Sequence, residues 1–125
     1  VADRGIADRV TLAGVMDSAA LTEAYQTSDL FVLASKYEGF GMAFVEAMSH
    51  GLPVIGLECD AVAEATKGAA VLVRPEDLSG TLSTHILSTD ARMALADRCW
   101  LAAQTFLRWR ETASIVTGAL AAAPR

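Results

Sequence analysis

The chain has 125 residues, of which 53% are hydrophobic and 20% charged, and its formal net charge is −5. That length holds one domain with a real core and excludes two. The acidic balance, with no basic run, excludes nucleic acid as an expected partner. The apolar content fits a buried parallel sheet covered by helices on both faces, with some apolar surface left to meet another domain or chain.

The opening VADRGIADRV begins with charges rather than an apolar segment, so no signal peptide is expected. No apolar run approaches the ~20 residues that span a bilayer. Cys59 and Cys99 lie far apart and form no C-x-x-C pair. They read as free thiols of a reducing compartment, and a cytoplasmic location is expected.

In chain order, RVTLAG (9–14) reads as a short buried strand ended by Gly14. Asp17 or Ser18 then caps a helix over 18–28, with Leu21, Ala24 and Tyr25 on one face. LFVLAS (30–35) is the second strand. A glycine turn, Gly39-Phe40-Gly41-Met42, opens into a helix over 42–50 that stops at Gly51. PVIGL (53–57) is the third strand, followed by a short helix around 62–67 and a fourth strand, AAVLVR (69–74), stopped by Pro75. From Glu76 onward the pattern is helical. Leu78, Leu82 and Ile86 are at helical spacing, Asp90 is placed to cap a helix over 91–107, and Ile115, Val116 and Leu120 line one face of a last segment from Trp109. The alanine-rich end and Pro124-Arg125 are expected to fray. Strands alternating with helices mean βαβ units and a parallel, Rossmann-like α/β sheet with a helical tail.

Ligands of such sheets bind beyond the carboxyl ends of the strands, where the turn at 39–42 lies. Two carboxylates, Glu38 and Glu46, bracket seven residues that carry no other charge. The helix has no Ser, Thr, Asp or Asn immediately before it, so its first amides are free to meet an anion. Glu38, between a strand and a glycine, is suited to accept from ligand hydroxyls, or it is a solvated loop carboxylate. Glu46 stands in the apolar helix AFVEAM with no Lys or Arg in helical reach. It reads as the acceptor for a vicinal diol, or as an ordinary exposed helical Glu. Glu64 either reaches the crevice or belongs to the first turn of its own helix. His50 reads as a helix C-terminal residue suited to the dipole rather than a base. No cluster has metal-ligand spacing, and no Ser or Cys sits in a nucleophile setting. Phosphate on one side and polyol on the other indicate a nucleotide sugar.

These residues resemble the C-terminal domain of retaining glycosyltransferases of the GT-B fold, the large glycosyltransferase family 4 (glycosyl transferases group 1). The resemblance runs from RVTLAGV through ALTEAYQTSDLFVLASKYEGFGMAFVEAMSHGLPVIGLE to EATKGAAVLVRPED and WRETA, nearly the whole chain. Its two-Glu motif is highly specific. The resemblance implies that Glu38 is catalytic, close to the donor sugar hydroxyls, and that Glu46 grips the nucleotide ribose. It further implies that the backbone of Gly39, Phe40, Gly41 and Met42 faces sugar and diphosphate, with Glu64 a further donor-site candidate. The implied reaction moves a hexose or related sugar from a nucleoside diphosphate sugar to an acceptor with retention of configuration. It needs neither cofactor nor metal, and the full-length enzyme is cytoplasmic or peripheral to a membrane.

The same resemblance implies that residues 1–125 are part of a nucleotide-sugar-binding domain. Strands and motif helix would fill about 9–74 and a helical segment about 77–123. The first two strands of that domain, the basic residues for the diphosphate and an N-terminal acceptor domain would lie outside the chain. In a 3-2-1-4-5-6 sheet the loss of the first two strands leaves RVTLAG apart from LFVLAS. The exposed edges favour a homodimer or a shifted first strand. Two departures stand out: Asp60-Ala61 replace a frequent pair of glycines, and Arg108 replaces a frequent serine, so the last helix is expected to lack its usual cap. The alternative function is a non-catalytic nucleotide-binding fragment or degenerate paralogue. An epimerase or phosphorylase of the same fold is the remoter reading, and the two-Glu motif argues against it.

Overall fold

The computed structural model describes residues 4–122. Its helices are α1 (Ser18–Thr27), α2 (Met42–Ser49), α3 (Asp60–Ala65), α4 (Leu78–Leu87), α5 (Thr89–Ala103) and α6 (Trp109–Ala122). Its strands are β1 (Phe31–Leu33), β2 (Val54–Leu57) and β3 (Val71–Val73). The strands form one three-stranded sheet in the order β1-β2-β3, both pairs parallel, with Phe31 opposite Val54 and Ile55 opposite Val71. This is a Rossmann-like α/β sheet flanked by helices, with a helical tail. The expected fraying at Pro124-Arg125 lies outside the described residues.

β2 is buried at every position, as the central strand of a parallel sheet must be. α2 lies on β1 and β2, and α4 and α5 pack on β2. The core joins Phe44, Ala47 and Met48 of α2 with Val54 and Ile55 of β2, Val62 of α3, and Leu95 and Cys99 of α5. The Phe44 ring meets Phe31 edge-on, centroids 5.7 Å apart. It also fills the space over Gly56, where a built Cβ would stand 2.5 Å from Phe44 Cε1 and 3.2 Å from the Leu33 carbonyl oxygen. Glycine at the centre of β2 therefore admits an aromatic ring that any side chain would exclude. Burial pushes the Cys99 thiol up, and both cysteines are free.

Local signals account for most boundaries. Asp17 accepts from the Ala20 amide at 2.8 Å and starts α1. Gly51, at φ +81°, ends α2. Lys67, at φ 53°, follows α3 and donates from Nζ to the Thr105 carbonyl and hydroxyl at 3.0 and 2.7 Å. Its ammonium also lies 5.7 Å from the Phe106 ring centroid, so the segment after α5 is tied back onto α3.

The structure corrects several sequence expectations. No strand forms over 9–14: Ala7–Arg9 make a single 3-10 turn, and residues 10–14 carry no ladder. Leu12 is 84% exposed, and no strand among the described residues stands beside it to satisfy its backbone or bury its side chain. α3 begins at Asp60, earlier than the residues 62–67 expected, because Asp60 suits the positive first turn and Ala61 tolerates a helix that two glycines would resist. The cap of α5 is Ser88, whose hydroxyl accepts from the Ala91 amide at 3.2 Å, while Asp90 sits within the first turn. On α4, Leu78 and Leu82 pack on the core but Ile86 is exposed. α6 is not left uncapped: Glu111 at its third position accepts from the Arg108 amide at 2.6 Å, half of a capping box. Ile115, Val116 and Leu120 do lie on α6, yet all three are exposed.

Candidate functional site at the carboxyl edge of the sheet

Parallel strands put all their carboxyl ends on one edge, so the loop after β1 and the turn after β2 are neighbours by topology. The first carries residues 34–41 and the second Glu58 and Cys59. They meet where the Cys59 thiol lies 3.9 Å from the Glu38 carbonyl oxygen. Glu38 is half-buried there, while Gly39 and Phe40 are exposed.

Gly41 is the N-cap of α2, with φ +85° and no side-chain cap. Its carbonyl accepts from the amides of Phe44 and Val45 at 3.0 and 3.2 Å, which leaves the amides of Met42 and Ala43 ahead of the ladder. An uncapped helix start of this kind carries partial positive charge toward whatever lies in front of it. Glycine is required here twice over. The backbone is left-handed, and a built Cβ would stand 3.2 Å from Val62 Cγ2 on α3. Gly41→Ala is expected to cost about 1–3 kcal/mol. A urea midpoint would show it, and an unchanged midpoint would mean that α3 gives way freely.

Glu46 projects from α2 one helical turn before His50, on the side away from the core, and is exposed. Glu46 is thus an exposed helical glutamate, as one of its two readings expected, and its carboxylate also has a partner on another helix. The Tyr25 hydroxyl, from α1, donates to Glu46 Oε2 at 3.3 Å. The Tyr25 ring in turn stacks on the His50 imidazole, centroids 5.1 Å apart and 18° from parallel. Burial first, and then the Glu46 charge and hydrogen bond, push the Tyr25 phenol up, so it stays protonated and keeps its donor role.

Glu64, on α3, joins a second part of the surface. With Phe40, Met42, Val45, Phe106 and Leu107 it lines an open hollow of ≈ 580 Å³. The structure thus brings Glu64 beside the glycine turn. Glu38 and Glu46 stand outside the lining of that hollow. Three contributors escaped the sequence reading: Tyr25, Cys59 and the Phe106-Leu107 segment. A signal existed for Tyr25, since a tyrosine on the buried face of an amphipathic helix needs a partner for its hydroxyl. Among the described residues no three His, Cys, Asp or Glu gather as metal ligands do, and no helix is long and apolar enough to cross a membrane.

Residues 1–89 match the family model described as glycosyl transferases group 1. The chain belongs to that family. Among curated relatives, it is 31% identical over 100 residues to the lipopolysaccharide core biosynthesis mannosyltransferase LpsB of Rhizobium meliloti, covering 77% of this chain and 28% of the relative. It is 33% identical over 87 residues to O-antigen chain mannosyltransferase B of Escherichia coli, covering 70% and 21%. To the D-inositol 3-phosphate glycosyltransferase of Segniliparus rotundus it is 29% identical over 126 aligned positions, covering 97% and 28%. The chain therefore spans about a quarter of the length of these relatives, and the group 1 membership rests on the segment that contains Glu38, the glycine turn and Glu46.

Proposed function

We propose that the chain is the donor-binding part of a retaining glycosyltransferase that moves a sugar from a nucleoside diphosphate sugar to an acceptor. One observation carries this reading: the uncapped start of α2 at Gly41 stands at the carboxyl edge of the sheet, between Glu38 and Glu46. Family membership supports sugar transfer, and the relatives named above are called a lipopolysaccharide core biosynthesis mannosyltransferase, an O-antigen chain mannosyltransferase and a D-inositol 3-phosphate glycosyltransferase.

In this reading the amides at the start of α2 face the diphosphate and stabilise the charge that grows on it as the glycosidic bond breaks. Glu38 lies nearest the sugar, accepts from its hydroxyls and supports the positive charge of the oxocarbenium-like centre. Gly39 and Phe40 let the donor approach the backbone. Glu46 accepts from the ribose diol, and Glu64 borders the donor pocket through the hollow it shares with Phe40 and Met42. The acceptor site and the cations that would neutralise the diphosphate are supplied by other parts of a larger enzyme, and exposed apolar side chains such as Leu12 and Met42 are candidates to meet them.

Glu46→Ala is expected to raise the donor KM about ten- to a hundredfold, as loss of charge-assisted hydrogen bonds to two hydroxyls requires, with a smaller change in kcat. Calorimetric titration of the full-length enzyme with UDP, GDP and ADP checks the binding step directly. An unchanged nucleotide affinity in the variant sinks the ribose role. Absence of binding by every nucleotide, together with absence of transfer, would overturn the donor-site reading.

A further inference from the structure

The geometry points to Tyr25 as a positioning residue for donor recognition: through its hydroxyl it holds the Glu46 carboxylate in the orientation that receives the ribose diol. The inference rests on the reading of Glu46 as the ribose ligand.

Glu46 is exposed on the outer side of α2, where a glutamate side chain samples many rotamers. A ligand that used it unaided would have to freeze all of them on binding. Among the described residues the Tyr25 hydroxyl is the hydrogen-bond donor recorded on this carboxylate, at 3.3 Å from Oε2. That distance is long for a hydroxyl on a charged oxygen. Tyr25 is itself fixed. Its ring is buried, tilted against Phe31 with centroids 6.1 Å apart, and stacked on His50. A tyrosine has only two side-chain torsions, so a ring held on two sides leaves its hydroxyl little freedom.

The arrangement divides the carboxylate. Oε2 is tied to α1, and Oε1 is left to accept from a ligand. A carboxylate has room for further bonds on both oxygens, so Tyr25 does not compete with a diol; it orients the acceptor toward one. Tyr25 touches neither sugar nor diphosphate in this scheme. It links α1 to the donor site through a single side chain on α2.

Tyr25→Phe keeps the ring, its burial and its stacking on His50 and removes only the hydroxyl. In the intact enzyme proposed above, the donor KM is expected to rise about fivefold while kcat stays within about twofold and the acceptor KM is unchanged. UDP, GDP and ADP serve as binding probes, and for whichever binds, its 2′,3′-dideoxy form is compared. The Tyr25→Phe penalty is expected to shrink toward zero with the dideoxynucleotide and in a Glu46→Ala background, because both remove the bonds that Tyr25 orients. If Glu46→Ala weakens binding and Tyr25→Phe does not, the positioning role is overturned and the ribose role of Glu46 stands. If Tyr25→Phe weakens binding by the same factor with Glu46 absent, its effect runs through packing and the inference is overturned. If Glu46→Ala changes nothing, the ribose reading falls first and the role of Tyr25 falls with it.

Discussion

Replacing Phe44 by alanine is expected to destabilise the domain by about 3–5 kcal/mol, the largest stability loss of any substitution considered. The ring is 1% exposed and occupies the junction of three elements. It rises from the first turn of α2, meets Phe31 of β1 edge-on, and lies over Gly56 at the centre of β2. Alanine would leave a cavity against backbone that has no side chain of its own to move into it, so the site collapses poorly. Domains of this size are stable by roughly 5–15 kcal/mol, and such a loss removes at least about a fifth of that margin. Urea denaturation followed by circular dichroism measures it. Phe44→Leu, which keeps most of the volume, is expected to lose less than half as much. A midpoint shift in Phe44→Ala equivalent to less than about 1 kcal/mol would show that the three elements are not joined through this ring.

The second large effect concerns activity. Glu38→Ala in the full-length enzyme is expected to lower kcat by about a hundred- to a thousandfold, the range found when one preorganised electrostatic group is removed from a reacting centre. Its backbone is anchored by position rather than by a helix. It follows β1 on the carboxyl edge of the sheet, with its carbonyl beside the Cys59 thiol at the end of β2. Loss of the side chain should therefore leave the loop and the fold in place, and the melting temperature should be nearly unchanged. The contrast with Glu46→Ala is the useful measurement: Glu38 should act mainly on kcat and Glu46 mainly on donor KM. A Glu38→Ala enzyme with wild-type kcat would remove Glu38 from the catalytic centre, whatever became of Glu46.

These two residues also show how unevenly the sequence could be read. Phe44 sits two positions from Glu46, and its apolar helix is plain in AFVEAM. Nothing in one dimension says that its ring needs a glycine at position 56. The three strands of the sheet, the helices between them, the Asp17 cap and the glycine start of α2 were all legible, because each depends on neighbours within a few residues: a side-chain cap, a left-handed turn, a run of apolar residues. RVTLAG carries the same local signal as the true strands and yet forms none, since a strand is completed by a partner and not by its own composition. Ile115, Val116 and Leu120 have the spacing of a packed helix face and remain exposed on α6 for a similar reason.

The candidate site divides along the same line. The two glutamates and the glycine turn stand within nine consecutive residues, 38–46, so their spacing was visible before any fold was known. The partner of Glu46 lies on another helix, 21 residues away at Tyr25, and the thiol beside Glu38 comes from the end of the next strand. By itself the sequence determined the parallel α/β order and put Glu38 and the glycine turn after β1, at the carboxyl edge of the sheet, because those follow from short-range pattern and the handed βαβ connection. Only the tertiary structure decided that Glu46 is exposed and bonded by Tyr25, that Glu64 shares a hollow with Phe40 and Met42, and that the first expected strand stays off the sheet. Each of those depends on which surfaces meet when the helices close over the sheet, and that choice is made by packing between residues distant in the chain.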